Sequence, residues 1–223
     1  MEKKHPVSLN LFPNKGRFFV LLVSLLLFSA LRPFLEEAMR LNFLLDIFLS
    51  GILFSGLYAV SQKKSVFVFA LLIALPMFTA EWLSHFVETP YLSLLGKIFG
   101  ALFFAYTAII ILSHIFREKE GTTESIYGAI CAYFLMGLMW ACVFFTLETL
   151  QPGSFQTAQE IEISFSYFSY YSFVTLTTLG YGDITPLSNP ARSLSTIEAM
   201  TGQLYLAVMV AGLVGKYIAQ SRK

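Results

Sequence analysis

Six apolar runs, separated by short polar segments, dominate the pattern of this 223-residue chain. Each run is close to the length of about 20 residues that a helix needs to cross a bilayer. The pattern therefore predicts an all-α membrane protein with six transmembrane helices. The predicted spans cover 18–35, 41–60, 65–84, 91–116, 126–148 and 191–219.

A seventh apolar run, at about 164–178, lies between the last two spans and is too short to cross as a helix. Irregular backbone is tolerated at membrane depth only where protein buries it or where it lines an aqueous path. We therefore predict a re-entrant pore helix followed by an extended segment. Its flanks, 155–163 and 184–190, are predicted to be an exposed acidic loop, with Glu160 and Glu162, and a rigid proline-containing turn.

The first apolar run has a second interpretation, because basic residues followed by Phe18–Ala30 resemble a secretory signal peptide. No clear small-x-small cleavage site follows, and Arg32-Pro33 fits one poorly. We favour an uncleaved helix.

Composition supports a membrane protein, since 56% of residues are hydrophobic and 13% are charged, against about 25% charged in soluble domains. Almost no room is left for a separate soluble domain. The net charge of +1 and the lack of a basic patch give no indication of nucleic-acid binding. Cys131 and Cys142 lie eleven residues apart in one predicted helix, roughly 16 Å along its axis. That separation is too long for a disulfide, so both are predicted to be free thiols.

Loop charges predict the orientation, because cytoplasmic loops carry an excess of Lys and Arg. With both termini inside, all but four of the fifteen basic residues fall in inner segments. The exceptions are Arg32, Arg40, Lys97 and Arg192. We therefore predict a multi-pass protein of the cell membrane, in contact with membrane lipids, with cytoplasmic N- and C-termini. The re-entrant segment then enters from outside.

The candidate chemistry lies in Thr178–Asp183, which reads Thr-Leu-Gly-Tyr-Gly-Asp. A cation that leaves water needs replacement oxygens, and backbone carbonyls supply them if successive ones face one axis. An ordinary strand alternates its carbonyls, so some residues must adopt left-handed conformations, which glycine does at little steric cost. Gly180 and Gly182 stand where such conformations are needed. Rings of carbonyls around an axis form potassium filters. The predicted K+ sites are therefore the carbonyls of Thr178, Leu179, Gly180 and Tyr181.

On the residues Thr177–Asp183, the chain resembles the potassium channel family, of the six-span, prokaryotic type with a single pore loop. Leu179 replaces the Val or Ile that is commoner in the family. The resemblance covers roughly 125–219. It implies an outer helix, a pore helix, a selectivity filter and an inner helix, assembled as a homotetramer because one chain carries one loop. It implies no cofactor beyond K+ ions bound in the filter.

The resemblance also implies residues that support the filter. Phe165–Leu176 is then the pore helix, and the negative end of its dipole favours a cation. Tyr171 is expected to hydrogen-bond Asp183, with plain aromatic packing as the alternative. Val174 stands where some channels have a glutamate bonded to the filter aspartate. The predicted filter support comprises Tyr170, Tyr171, Val174 and Thr177.

In the last predicted span, Gly202 lies nineteen residues after Asp183, which is the spacing of the gating hinge in many channels of the family. Glycine inside a helix costs about 1 kcal/mol relative to alanine, so a reason is expected. Close helix packing is the alternative to a hinge. Side chains beyond it are predicted to face the cavity or form an inner gate, with ordinary packing as the alternative. These are Gln203, Leu206, Val210, Val214 and Ile218.

Glu198 is an intramembrane charge about seven positions into the same helix and therefore about 10 Å deep. Ionisable residues at such depth are functional candidates by default. We expect it to hydrogen-bond the back of the pore helix near Ser172 or Thr175. Replacement by glutamine is expected to alter open probability or filter stability.

Three further intramembrane charges, Asp46, Glu81 and Lys97, are predicted at similar depth in the outer leaflet. Asp46 and Lys97 are expected to pair with Glu81 nearby, as a structural ion pair or as an extracellular ligand or pH sensor. A voltage sensor is not predicted. One charge moved through 100 mV gives only about 2.3 kcal/mol, so steep gating needs several, and the span 91–116 contains Lys97 alone.

We interpret the chain as a potassium-selective channel that conducts passively, is weakly or not voltage-gated and is not an enzyme. A regulatory or non-conducting subunit of a hetero-oligomeric channel, and a membrane-embedded enzyme, are the alternatives, and an unidentified gating ligand is left open. The histidines, His5, His85 and His114, are too scattered to support an active site. The predicted domains are an N-terminal cytoplasmic segment (1–17), a four-helix non-pore domain (18–116), a cytoplasmic linker (117–124), the pore domain (125–219) and a cytoplasmic tail (220–223).

Overall fold

The computed structural model describes residues 16–39, 50–52, 54–59, 64–84, 86–87, 89–118, 121–157 and 164–221. Most of these residues are helical, and two short strands flank the segment that was predicted to be re-entrant. The helices are α1 (Arg17–Met39), α2 (Lys64–Ser84), α3 (Pro90–Arg117), α4 (Thr123–Leu150), α5 (Phe165–Leu176) and α6 (Asn189–Ser221). The strands are β1 (Phe155–Thr157) and β2 (Ile184–Pro186). Residues 50–52 and 54–59 are also helical.

Four helices are long and apolar enough to cross a membrane, namely Lys64–Ser84, Tyr91–Arg117, Thr123–Leu150 and Asn189–Gln220. They coincide with the third to sixth predicted spans and indicate an all-α membrane protein. The first predicted span falls within α1. The second, 41–60, lies mostly outside the described residues, so a total of six spans stays a prediction.

Several helices begin where the sequence supplies a local start signal. The Thr122 hydroxyl accepts a hydrogen bond from the Ser125 backbone N–H at 3.1 Å and caps α4. The Ser164 hydroxyl accepts one from the Tyr167 backbone N–H at 3.3 Å and caps α5. Such side-chain caps satisfy backbone donors that have no partner within the helix. The Ser164 cap thus fixes the residue at which α5 begins.

The helix α4 is the centre of the packing, since it contacts α1, α3, α5 and α6, while α2 packs on α3. Half of the most apolar stretch of α4 is buried inside the protein, whereas 17% of the corresponding stretch of α6 is buried. Small residues such as Gly128, Ala132 and Ala141 let neighbouring helices approach it closely. The short helix α5 therefore lies against α4 on one side and against α6 on the other.

The strands β1 and β2 pair antiparallel and join the two ends of the segment that contains α5, with Phe155 opposite Pro186. This pairing corrects the first part of the predicted exposed loop 155–163, because residues 155–157 form a strand. Phe155 is buried, and its ring lies 5.5 Å from that of Phe144 and 5.1 Å from that of Phe168. Residues 158–163 lie outside the described ranges.

The C-terminal end of α4 is attached to this pair of strands by a buried carboxylate. Glu148, 5% exposed, accepts hydrogen bonds from the backbone N–H groups of Gly153 at 2.8 Å and Phe155 at 3.1 Å. The Ser154 carbonyl in turn accepts from the Leu187 N–H at 2.8 Å, just beyond β2. The predicted turn 184–190 therefore comprises the strand β2, two connecting residues and the first two residues of α6.

Candidate functional site

The backbone of the Thr177–Asp183 loop continues directly from the carboxyl end of α5. Its first N–H groups bond back to the last turn of the helix, with Thr178 N donating to Thr175 O and Leu179 N to Val174 O, both at 2.9 Å. The chain then extends outwards to β2. Side chains from 177 to 183 are exposed in the single chain. The loop therefore presents its backbone and side chains at the molecular surface.

Positive φ angles recur at every second residue of this loop. Gly180 has φ 58° and Gly182 has φ 80°, in the left-handed region that glycine adopts at little steric cost. An added Cβ would meet no atom within 4 Å at either position. The need for glycine is therefore conformational rather than a matter of space.

Thr178 has φ 59°, which the sequence analysis did not predict. Among the described residues, it is the only non-glycine with positive φ. A β-branched residue in this region is a backbone outlier that costs about 1–3 kcal/mol. Its hydroxyl oxygen lies 3.3 Å from Gln203 Nε2 on α6, on the exposed side of the loop. The strained position thus lies near the start of the loop, where Gln203 and Thr178 meet.

The adjacent tyrosines Tyr170 and Tyr171 of α5 have different partners, and the bond to Asp183 is not made by the residue expected to make it. Tyr170, not Tyr171, donates its hydroxyl proton to Asp183 Oδ2, at 2.7 Å. The Tyr171 hydroxyl instead lies 2.6 Å from Ser195 Oγ on α6. Consecutive helical residues point about 100° apart, so only the half-exposed Tyr170 faces the loop. Tyr171 is buried among the rings of Phe144 and Phe155.

The other two supporting residues act through atoms near the backbone. The Val174 carbonyl oxygen accepts from both Leu179 N, at 2.9 Å, and Gly180 N, at 3.3 Å. The Thr177 hydroxyl donates to Phe173 O at 2.6 Å. Val174 therefore supports the loop through its main-chain carbonyl, whereas the hydrogen bond to Asp183 comes from Tyr170.

Three helices meet through polar atoms behind the loop. Ser172 Oγ, on α5, lies 2.7 Å from the Gly137 carbonyl oxygen on α4 and 2.5 Å from Glu198 Oε1 on α6. Glu198 and Ser172 are both completely buried. The expected contact between Glu198 and the back of α5 is thus made at Ser172.

Gly202 lies where α6 crosses the end of α5. A Cβ added there would collide with the Leu176 carbonyl oxygen and lie 3.1 Å from its carbonyl carbon. The same carbonyl oxygen accepts a hydrogen bond from the Tyr133 hydroxyl at 3.3 Å. Close packing therefore supplies a reason for this glycine that does not require a hinge.

The predicted cavity and gate residues lie along an exposed face of α6. Gln203, Leu206, Val210, Val214 and Ile218 are all exposed in the single chain. Their spacing of three or four residues keeps them on one side of the helix. In the single chain they form one exposed row, and a gate that closes around an axis would need further copies of this row.

The comparison with known proteins concerns this part of the chain. A family model described as "Ion channel" matches residues 131–220. The match indicates an ion channel. The matched residues run from α4 through α5 and the Thr177–Asp183 loop to the end of α6, and we call them the channel domain. No curated protein and no solved structure matches the chain.

Outside the channel domain, a buried ion pair contacts the first residue of α5. Lys97 Nζ, on α3, lies 2.5 Å from Glu81 Oε1 on α2. It also lies over the Phe165 ring, 4.8 Å from its centroid. Gly96 makes room for the carboxylate, because a Cβ there would meet Glu81 Oε1 at 2.9 Å. Asp46, the expected partner of Lys97, lies outside the described residues.

At the opposite end, Lys216 connects α6 to the end of α3, a contact that the sequence analysis missed. Its ammonium group donates to the carbonyl oxygens of Ile115 and, at 2.6 Å, of Glu118. The last carbonyls of a helix have no partner within it, and a cation stabilises them. The sequence did contain a signal for this contact, because a single lysine near the end of an apolar helix needs polar partners. The C-terminal end of the channel domain is thus attached to the helix that precedes the domain.

Proposed function

We propose that the chain is a potassium-selective channel through which K+ passes passively down its gradient. The observation that carries the proposal is the backbone of Thr178–Asp183, where positive φ at 178, 180 and 182 alternates with ordinary φ at 179 and 181. Such alternation can turn successive carbonyls towards one side of an extended chain, which an ordinary strand does not do. K+ then exchanges water for the carbonyl oxygens of residues 178–181, as in potassium filters.

A homotetramer completes this pore. One chain carries one loop, and a closed ring of carbonyls around an ion needs several. The single chain exposes surfaces that an assembly would cover, since Leu179 is 55% exposed and Tyr181 is 68% exposed. On α6, the apolar side chains of Val210, Val214 and Ile218 would then line or close the inner end of the pore.

The channel is weakly or not voltage-gated and lies in the cell membrane with both termini cytoplasmic. In the interior of α3 the basic residue is Lys97, which pairs with Glu81 at 2.5 Å, so the pair contributes no net charge to movement in the field. Steep voltage dependence needs several charges per subunit. The trigger for opening is therefore expected to be something other than voltage.

Ion flux into liposomes tests the proposal. Purified full-length protein is reconstituted, and uptake of K+ and of Na+ is followed down matched gradients. Gly180→Ala and Gly153→Ala form a matched pair, because both glycines have positive φ, 58° and 82°, and open space for a Cβ. Only Gly180 lies in the loop.

We expect wild-type vesicles to take up K+ and exclude Na+, Gly180→Ala to abolish uptake and Gly153→Ala to retain it. Equal passage of both ions, or equal loss in both variants, would contradict the proposal. Vesicles that contain tetramers but pass neither ion would favour a non-conducting subunit.

A further inference from the structure

Glu198 lies at the meeting point of α4, α5 and α6, with none of its surface exposed. Its Oε1 atom is 2.5 Å from Ser172 Oγ, and Ser172 Oγ is 2.7 Å from the Gly137 carbonyl oxygen. Three oxygens from three helices therefore form a short chain behind the Thr177–Asp183 loop.

The number of protons available to these three oxygens determines which of them donates each hydrogen bond. A serine hydroxyl has one proton to donate, and a backbone carbonyl can only accept. If the Ser172 proton points at Gly137 O, the second short contact of Ser172 Oγ needs a proton from Glu198. We infer that Glu198 is a neutral carboxylic acid that donates to Ser172, and that this bond positions α5 between α4 and α6.

The surroundings of Glu198 offer no compensation for a negative charge. Its second oxygen, Oε2, has no hydrogen-bond partner among the described residues. An unpartnered carbonyl oxygen of a neutral acid costs far less than an unpartnered charge buried at the same place. The neutral form is therefore the one that fits the site.

The titratable groups that face Glu198 are tyrosines whose hydroxyl groups already have partners. Tyr133, on α4, donates to the Leu176 carbonyl oxygen at 3.3 Å. Tyr171, on α5, lies 2.6 Å from Ser195 Oγ. Neither supplies a cation, and no ion pair in the described part of the chain includes Glu198.

The position of this bond links it to conduction, a consequence that rests on the proposed function. Ser172 is four residues before Leu176, the last residue of α5. Gly137 is packed so closely that a Cβ added there would collide with the ring of Phe173, the residue after Ser172. A proton on Glu198 therefore helps to hold α5, and hence the start of the loop, in place.

Infrared spectroscopy of the purified full-length protein tests the proton directly. The C=O stretch of a protonated carboxyl group is separated from the bands of carboxylates, so Glu198→Gln should remove an acid band from the wild-type spectrum. Glu148→Gln is the matched control. Glu148 is also buried, but it accepts from two backbone N–H groups that can only donate, which requires no proton on the carboxylate.

A second measurement tests the positioning role through rescue. The amide of Glu198→Gln keeps an N–H donor for Ser172, so K+ flux and thermal stability should stay close to wild type. This expectation replaces the one made from the sequence alone, in which glutamine at position 198 altered opening or filter stability. Glu198→Ala removes the donor, and its flux should fall about tenfold, the scale set by losing a buried hydrogen bond. If Glu198→Gln lowered K+ flux and thermal stability as much as Glu198→Ala does, the inference would be overturned.

An acid band that is absent from the wild type, or that persists in Glu198→Gln, would also overturn it. If the band is lost as expected but wild-type vesicles pass no K+, the proton assignment stands and the proposed function fails.

Discussion

Replacing Gly202 by alanine tests whether close packing explains this glycine. The added Cβ would collide with the Leu176 carbonyl oxygen and lie 3.0 Å from Leu176 Cδ1. Because the nearest atoms are backbone, relief requires α6 to move away from the end of α5. The displacement would reach Thr178, whose N–H bonds to the last turn of α5.

The expected change in stability for Gly202→Ala follows from two opposing effects. Alanine is favoured over glycine inside a helix by about 1 kcal/mol, whereas overpacking costs about 1–3 kcal/mol. A backbone obstacle puts the cost in the upper part of that range, so the net destabilisation is expected to be about 1–2 kcal/mol. For a domain of this size, each kcal/mol lowers the melting temperature by about 2–4 °C.

Thermal unfolding of the purified protein in detergent, together with K+ flux, measures the effect. Gly215→Ala is the matched control, because it lies in the same helix and its Cβ would meet nothing within 4 Å. We expect the control to be as stable as wild type or slightly more stable. If Gly202→Ala matched the control in stability while only its opening changed, the packing explanation would be wrong and a hinge would be favoured.

Three further changes have defined outcomes. Tyr170→Phe removes the hydrogen bond to Asp183 and should lower stability by about 0.5–1.5 kcal/mol, with faster loss of current in bilayer recordings; unchanged currents would argue against this support. Lys97→Met leaves the partly buried Glu81 carboxylate without its cation and should destabilise the protein by about 3 kcal/mol, the lower end of the range for a broken buried pair, measured by thermal unfolding, whereas adding Glu81→Gln should restore much of the loss. Lys216→Met frees two carbonyl oxygens at the end of α3 and should alter open probability in single-channel recordings while leaving the preference for K+ over Na+ unchanged.

The sequence predicted the loop better than its surroundings, for reasons that lie in particular residues. Gly180 and Gly182 indicated left-handed backbone because glycine adopts it readily. Thr178 gave no such signal, since a β-branched residue disfavours that region. The sequence did not show that Tyr170 rather than Tyr171 bonds Asp183. That choice depends on the rotation of α5 about its axis, which a short helix rich in aromatic residues does not reveal in its sequence.

Other features required tertiary structure. The strands β1 and β2 have three residues each, too few for alternation to be recognised. The depth of a residue along its predicted helix was enough to predict that Glu198 lies close to α5 and that Glu81 lies near Lys97. It did not reveal that Ser172 also contacts Gly137 O, because that contact depends on how three helices are positioned against one another.

Planar-bilayer recording with K+ on one side and Na+ on the other tests the central claim most directly. The account predicts a reversal potential displaced strongly towards that of K+, little change of conductance with voltage, and loss of the current in Gly180→Ala. A reversal potential near zero, with currents carried equally by both ions, would contradict it.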